Sequence, residues 1–101
     1  MPVLTVQGAT FAGRVAGSLL HAAGLPELIT NCLEEYERLA LRLASEPGLL
    51  SRHKAKLEAN RTAATLFDTD RFRRNLESAY LAMWERHHRG LRPASFEVTE
   101  I

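Results

Sequence analysis

The amino-acid sequence predicts a mainly helical chain with one N-terminal β-strand, a layout that suits the closing part of a larger α/β protein. Three observations lead to that class. Residues 2–6 form a β-branched run followed at once by a glycine turn and a helical apolar pattern, the first two parts of a βαβ unit. Apolar side chains then recur at three- and four-residue spacing through most of the chain. No comparable second strand stands out, so the backbone groups of the first have no sheet to join. The composition is that of a folded piece with one modest core: 101 residues, 46% apolar and 25% charged.

Pro2-Val3-Leu4-Thr5-Val6 opens the chain as the strand, with its proline first, where a missing N–H does least harm. Gln7-Gly8-Ala9 turns it. Thr10 then caps a helix over about 11–23, whose Phe11, Val15 and Leu19 form an i, i+4 stripe. Gly24 supplies the residue that ends this helix. Leu25 to Ile29 reads as a short helical turn with Pro26 at its first position. Asn31 and Glu34 stand at capping-box spacing at the head of a helix over about 31–44, with Leu33, Tyr36, Ala40 and Leu43 on one face. Glu46-Pro47-Gly48 breaks the pattern and starts another helix over about 47–60. Leu49, Leu50, His53 and Leu57 are its inner side, and Arg52, Lys54, Lys56 and Glu58 its wet side. Ala63 to Phe67 is a connector. Asp68 or Thr69 caps the longest helix, about 69–89, and Asp68 and Asp70 place negative charge at its positive end. Phe72, Leu76, Ala79, Tyr80 and Met83 share the face expected to be buried, and Gly90 ends the helix behind Arg86, His87, His88 and Arg89. Residues 91–101 read as an extended tail, with Phe96 to Ile101 a weak partner for the first strand.

Charge and residue types remove several functions. Thirteen Lys and Arg against twelve Asp and Glu leave a net charge of +1, too small for the field that non-specific nucleic-acid binding needs. Cys32 is the only cysteine, which excludes an intrachain disulfide and a cysteine-rich zinc site. With Glu34 and Glu35 nearby rather than a cation, it reads as a buried thiol. No apolar run approaches the roughly 20 residues of a membrane span, and the N-terminus lacks the basic flank of a signal peptide, so a cytoplasmic protein is expected. Gly13 and Gly17 form a small-xxx-small pair whose plain reading is close packing of the first helix, because Arg14 and the short length refuse a membrane dimer. Glu85 and His88 have the spacing of a bundle metal site but lack a second such pair, and the helix dipole accounts for His87 and His88. Arg71, Arg73 and Arg74 beside Phe72 are neutralised by Asp68, Asp70 and Glu77. Arg52, Lys54 and Lys56 are too few to recruit anionic lipid. His21 is expected at the edge of the core. No nucleophile–base–orienter set, phosphate-cradling lysine motif or carboxylate pair is assembled. The one place with chemical promise is the Gly8 turn, since ligands of open α/β sheets sit beyond the carboxyl ends of strands.

The same residues resemble a known family. Pro2-Val3-Leu4-Thr5, then Gly8, Thr10-Phe11-Ala12, Arg14-Val15-Ala16 and Ser18-Leu19-Leu20, are similar to the final strand and helix of the O-GlcNAc transferase catalytic region. That family's pattern is close to P-V-x-T-x-P-G-x-T-[FL]-A-S-R-V-A-A-S. The similarity continues through Gly24 to Ile29 and Glu35-Tyr36, and resumes at Leu66 to Thr69 and at Leu76-Glu77, Tyr80 and Met83-Trp84. It covers the chain from Pro2 to about Pro93. Gln7 stands where the family usually has Pro, and Gly13 and Gly17 where it has Ser and Ala. These departures loosen the loop and helix without challenging the fold.

The resemblance implies the C-terminal segment of a bacterial-type, tetratricopeptide-linked glycosyltransferase with two Rossmann-like halves, the GT-B arrangement. Such enzymes move N-acetylglucosamine from UDP-GlcNAc to Ser or Thr hydroxyls of proteins without a metal. This chain would belong to the donor-binding half. The donor-gripping residues of the family (a Lys, a His-Thr-Thr stretch and an Asp on the ribose) and the base histidine would all lie upstream of Met1. No catalytic, cofactor-binding or metal-binding residue is therefore expected on this chain, which would be inactive alone. Gly8, Thr10 and Arg14 are the nearest supports of the donor loop. The expected partners are the upstream remainder of the domain and a protein acceptor, with no nucleic acid and no membrane. A bare strand edge at Pro2 to Val6 also invites self-association of the isolated chain. The alternative is a stand-alone helical interaction module that uses the Phe72, Leu76, Tyr80 and Met83 face.

Overall fold

A computed structural model describes residues 1–99, and the chain divides into two compact units, Met1–Phe67 and Asp68–Ile101. In the first unit the elements run β1 (Thr5–Val6), α1 (Phe11–Ala22), a 3-10 turn (Pro26–Leu28), β2 (Ile29–Thr30), α2 (Leu33–Ser45), α3 (Pro47–Asn60) and a second 3-10 turn (Thr65–Phe67). The second unit is α4 (Thr69–His88) and a tail without regular structure over 91–99. Glu100 and Ile101, the end of the expected extended tail, lie outside the described residues. The chain is mostly helical, as its sequence predicts.

The expectation of a lone strand is corrected. β1 pairs in parallel with β2, Thr5 opposite Ile29 and Val6 opposite Thr30. The Gln7 N–H continues the ladder by donating to the Thr30 carbonyl at 2.8 Å, and the Thr30 hydroxyl donates to the Thr5 carbonyl, also at 2.8 Å. α1 is therefore the crossover of a complete, minimal βαβ unit. Two residues arriving straight from a proline-led turn carry no alternation, which is why β2 is silent in the sequence. β1 itself is shorter than the 2–6 run. Since the strand is not an orphan, the premise for self-association through unpaired ladder groups falls for the edge that faces β2.

Local chemistry sets the helix ends. Thr10 caps α1 by accepting from the Gly13 N–H at 3.2 Å, and Gly24, at φ +76°, takes the left-handed conformation that closes it. α2 begins later than the capping pattern predicts. Cys32 occupies its N-cap position, and the Glu35 carboxylate, rather than Glu34, reaches back to accept from the Asn31 N–H at 2.9 Å. Asp68 caps α4 by accepting from the Arg71 N–H at 2.9 Å, and Gly90, at φ +69°, ends it.

The core of the first unit is Leu20, Leu25 and Leu28, with Ile29, Leu43 and Leu57 packed around them. Leu25 and Leu28 are 1% and 0% exposed. The buried side of α1 is Gly17 and Leu20; the expected Phe11, Val15 and Leu19 stripe faces outward, with Phe11 88% exposed. The stripe has the right period for a helix, but the glycines opposite it admit the closer approach. α4 buries no residue: Phe72, Leu76, Tyr80 and Met83 are all exposed, which corrects the expectation of a covered face. Cys32 is exposed rather than buried, because the N-cap position leaves its side chain at the helix rim.

Candidate functional site

The turn between β1 and α1 builds the site, and its geometry follows from glycine. The Gly8 N–H donates to the Gly13 carbonyl at 3.0 Å, folding the loop onto the first turn of α1. A Cβ at Gly13 would stand 3.1 Å from the Gly8 Cα and 3.2 Å from the Thr10 hydroxyl oxygen. A Cβ at Gly17 would stand 2.8 Å from Gln7 Oε1. The small-xxx-small pair thus receives the helix's own lead-in loop rather than another helix. Gln7, which no spacing signalled, joins the site twice, by its N–H to β2 and by its side chain against α1.

Of the three loop supports expected from the sequence, Gly8 and Thr10 are brought together and Arg14 is not. The Gly8 N–H is committed within the loop, so the turn presents one fewer donor to an anion than its sequence suggests. The Thr10 hydroxyl accepts the capping bond and keeps its own proton to donate outward. Arg14 lies one turn on, exposed and without an ion pair among the described residues. With Phe11, Val15, Ser18 and Leu19 it lines an open concavity of about 490 Å³.

A second cluster ties α3 to the first 3-10 turn. Lys56 Nζ lies 2.7 Å from Glu27 Oε1, and Nδ1 of the buried His53 lies 3.6 Å from the same oxygen. Burial pushes the Glu27 carboxyl up. The Lys56 hydrogen bond, the residue's own backbone N–H and the charges of Lys56 and His53 outweigh that and hold it below its ordinary 4.5. Asn60 donates from Nδ2 to the Ala23 carbonyl at 2.9 Å and, more weakly, to the Gly24 carbonyl at 3.5 Å. Asn60 and Thr30 are polar anchors that nothing in the sequence marked.

In the second unit, Arg73 pairs with Asp70 at 2.8 Å and with Glu77 at 2.7 Å, and Arg74 pairs with Asp70 at 3.1 Å. The short basic cluster is an ion-paired face, as the neighbouring carboxylates imply. Its hydrogen bonds draw the Asp70 carboxyl down and push the Arg73 guanidinium up. The Trp84 ring packs near both His87 and His88, at centroid distances of 6.4 and 6.1 Å. Among the described residues no three His, Cys, Asp or Glu side chains converge on a metal position, and no helix is long and apolar enough to cross a membrane.

Comparison with known proteins bears on these elements directly. The model for glycosyl transferase family 41 matches residues 1–76, which span β1, the Gly8 turn and all three helices of the first unit. An Arabidopsis thaliana relative, the probable UDP-N-acetylglucosamine–peptide N-acetylglucosaminyltransferase SEC, is 43% identical over 101 residues, 99% of this chain and 10% of its own length. The Caenorhabditis elegans UDP-N-acetylglucosamine–peptide N-acetylglucosaminyltransferase is 36% identical over 90 residues, 89% of this chain and 8% of its own. A Hordeum vulgare relative, the probable enzyme SPINDLY, is 37% identical over 94 residues, 93% of this chain and 10% of its own. The chain thus spans about a tenth of the length of these relatives. Matched by the family model through its whole first unit and aligned with enzymes of one named activity, the chain belongs to glycosyl transferase family 41.

Proposed function

We propose that this chain is a C-terminal segment of the donor-binding half of a GT-B enzyme that transfers N-acetylglucosamine from UDP-GlcNAc to Ser or Thr of a protein acceptor. The observation that carries the reading is the family 41 match over residues 1–76. The geometry supports it: a glycine turn closes the carboxyl end of a parallel strand, where nucleotide ligands of α/β sheets bind. In this reading Gly8 and Thr10 fix the loop beneath the donor, and Arg14 stands one turn behind it. The residues that grip the nucleotide and move the proton belong to the rest of a tetratricopeptide-linked, bacterial-type, cytoplasmic enzyme, which needs no metal. The chain alone transfers no sugar.

Two measurements test this. Calorimetric titration of the 101-residue chain with uridine diphosphate is expected to give no saturable heat; a micromolar dissociation constant would place the donor site within these residues and overturn the assignment. The full-length polypeptide is expected to label a serine-containing peptide from UDP-GlcNAc, and failure to do so would remove the enzyme reading. The exposed Phe72, Tyr80 and Met83 favour the second reading, a helical interaction module. It gains if transferase activity survives deletion of α4.

A further inference from the structure

The turn after β1 is fastened by two consecutive residues. The Gln7 N–H donates to the Thr30 carbonyl at 2.8 Å, and the Gly8 N–H donates to the Gly13 carbonyl at 3.0 Å. Residue 7 therefore ties the turn to β2, and residue 8 ties it to the first turn of α1. Thr30 is itself held, being 5% exposed and donating its hydroxyl to the Thr5 carbonyl. The Gln7 side chain adds a third point. It lies along α1 at Gly17, where a Cβ would stand 2.8 Å from Oε1, 3.5 Å from Cδ and 3.8 Å from Cγ. Gln7 thus touches β2 with its backbone and α1 with its side chain, and it reaches the helix because residue 17 has no side chain.

The side-chain contact is one of volume. Gln7 is exposed, and its amide makes no hydrogen bond among the described residues. The core of the unit, Leu20, Leu25 and Leu28, does not include it. What the contact restrains is the loop. Gly8 has no Cβ to narrow its backbone freedom, so the ordering of the turn falls to its neighbours. With Gln7 held on two sides, and Gly8 and Thr10 both bonded to Gly13, the turn has one position relative to the end of the strand.

We propose that Gln7 is a positioning residue for the sugar-nucleotide donor, acting through the Gly8 turn. It orders the turn before the donor arrives, so that binding does not have to. The proposal rests on the donor-half reading for the identity of that ligand. The brace needs two things at once, a long side chain at 7 and none at 17, and neither alone provides it.

Steady-state kinetics of the full-length polypeptide with UDP-GlcNAc test the role. Gln7→Ala keeps the ladder bond and removes the brace. KM for the donor should rise roughly three- to tenfold with kcat unchanged, the mark of lost binding shared by ground and transition states. Gln7→Met, of similar length but without the amide, should restore the parent's KM. Gly17→Ala should raise KM as Gln7→Ala does, by driving the amide off the helix. Alanine favours a helix over glycine, so a merely structural role would not produce that loss. Adding Gly17→Ala to Gln7→Ala should change nothing more, since the space is then empty. In the 101-residue chain the Gly8 amide should exchange faster in both single variants. The proposal is overturned if KM is unmoved in either variant, if their effects add, if kcat falls instead, or if Gln7→Met loses as much as Gln7→Ala. A full-length polypeptide that transfers no sugar removes the enzyme reading, whereas a Gly8 amide that exchanges no faster in the variants removes the brace.

Discussion

Replacing Gly24 by Ala probes the junction where α1 ends and α3 is anchored. Gly24 sits at φ +76°, where a side chain costs about 1 kcal/mol. The new Cβ would also stand 2.5 Å from Asn60 Nδ2, so the amide must withdraw. Withdrawal gives up its bond to the carbonyl of Ala23, a residue only 7% exposed, at a further cost of about 1–2 kcal/mol. Gly24→Ala should therefore destabilise by about 2–3 kcal/mol, and Asn60→Ala alone by about 1–2 kcal/mol. The two share one contact, so the double variant should lose about 1 kcal/mol less than the sum. Urea denaturation followed by far-UV circular dichroism gives all three values. Strict additivity, or a Gly24→Ala midpoint equal to the parent's, would show that the Asn60 clasp does not hold this turn.

Leu28, fully buried, should cost about 3–4 kcal/mol when cut to Ala, and an unmoved denaturation midpoint would take it out of the core. Leu76, at 39% exposure, should cost less than about 1.5 kcal/mol as Leu76→Ala; a larger loss would mean that the α4 face is covered. Glu27 makes stability depend on acid. Its folded-state carboxyl lies below its ordinary 4.5, so its contribution is present above that value and is lost as the pH falls through the folded one. Glu27→Gln should therefore cost about 0.5–1 kcal/mol at neutral pH, and the melting points of parent and variant should converge in acid. A gap that persists in acid would point to packing instead of charge.

What the sequence disclosed is chiefly backbone chemistry with a short reach. Thr10, Gly24, Asp68 and Gly90 each act on groups within a few residues; Thr10 and Asp68 start their helices and Gly24 and Gly90 end them where the spacing predicts. β2 was invisible because its meaning lies in a partner 25 residues away, and Pro26 makes its approach look helical. Periodicity found the apolar stripe of α1 but could not say which side these residues cover. Gly13 and Gly17, with no side chains to count, decided that. Cys32 shows the same limit: the charges beside it along the chain say nothing about which side of a helix rim it takes. The Gly8 and Thr10 turn was legible at the end of a strand, whereas Gln7, Thr30 and Asn60 became structural anchors only through contacts that sequence order does not encode. The family was legible in two separated motifs, because side chains that shape a loop and a helix together rarely recur in order by chance.

Gln7 and Gly17 are two departures from the family pattern, which usually has Pro and Ala there, and they share one volume. The Gln7 amide lies where a methyl at 17 would project, 2.8 Å from its oxygen. A proline ring at 7 stays close to the loop backbone and leaves room for that methyl. Relative to that pattern, the volume sits on the loop rather than on the helix. Losing the methyl first leaves a small void beside a proline, whereas gaining the longer side chain first drives its amide off the helix. Restoring the family's residues one at a time is therefore expected to go best with proline at 7, which gives up the Gln7 N–H bond to the Thr30 carbonyl, before alanine at 17.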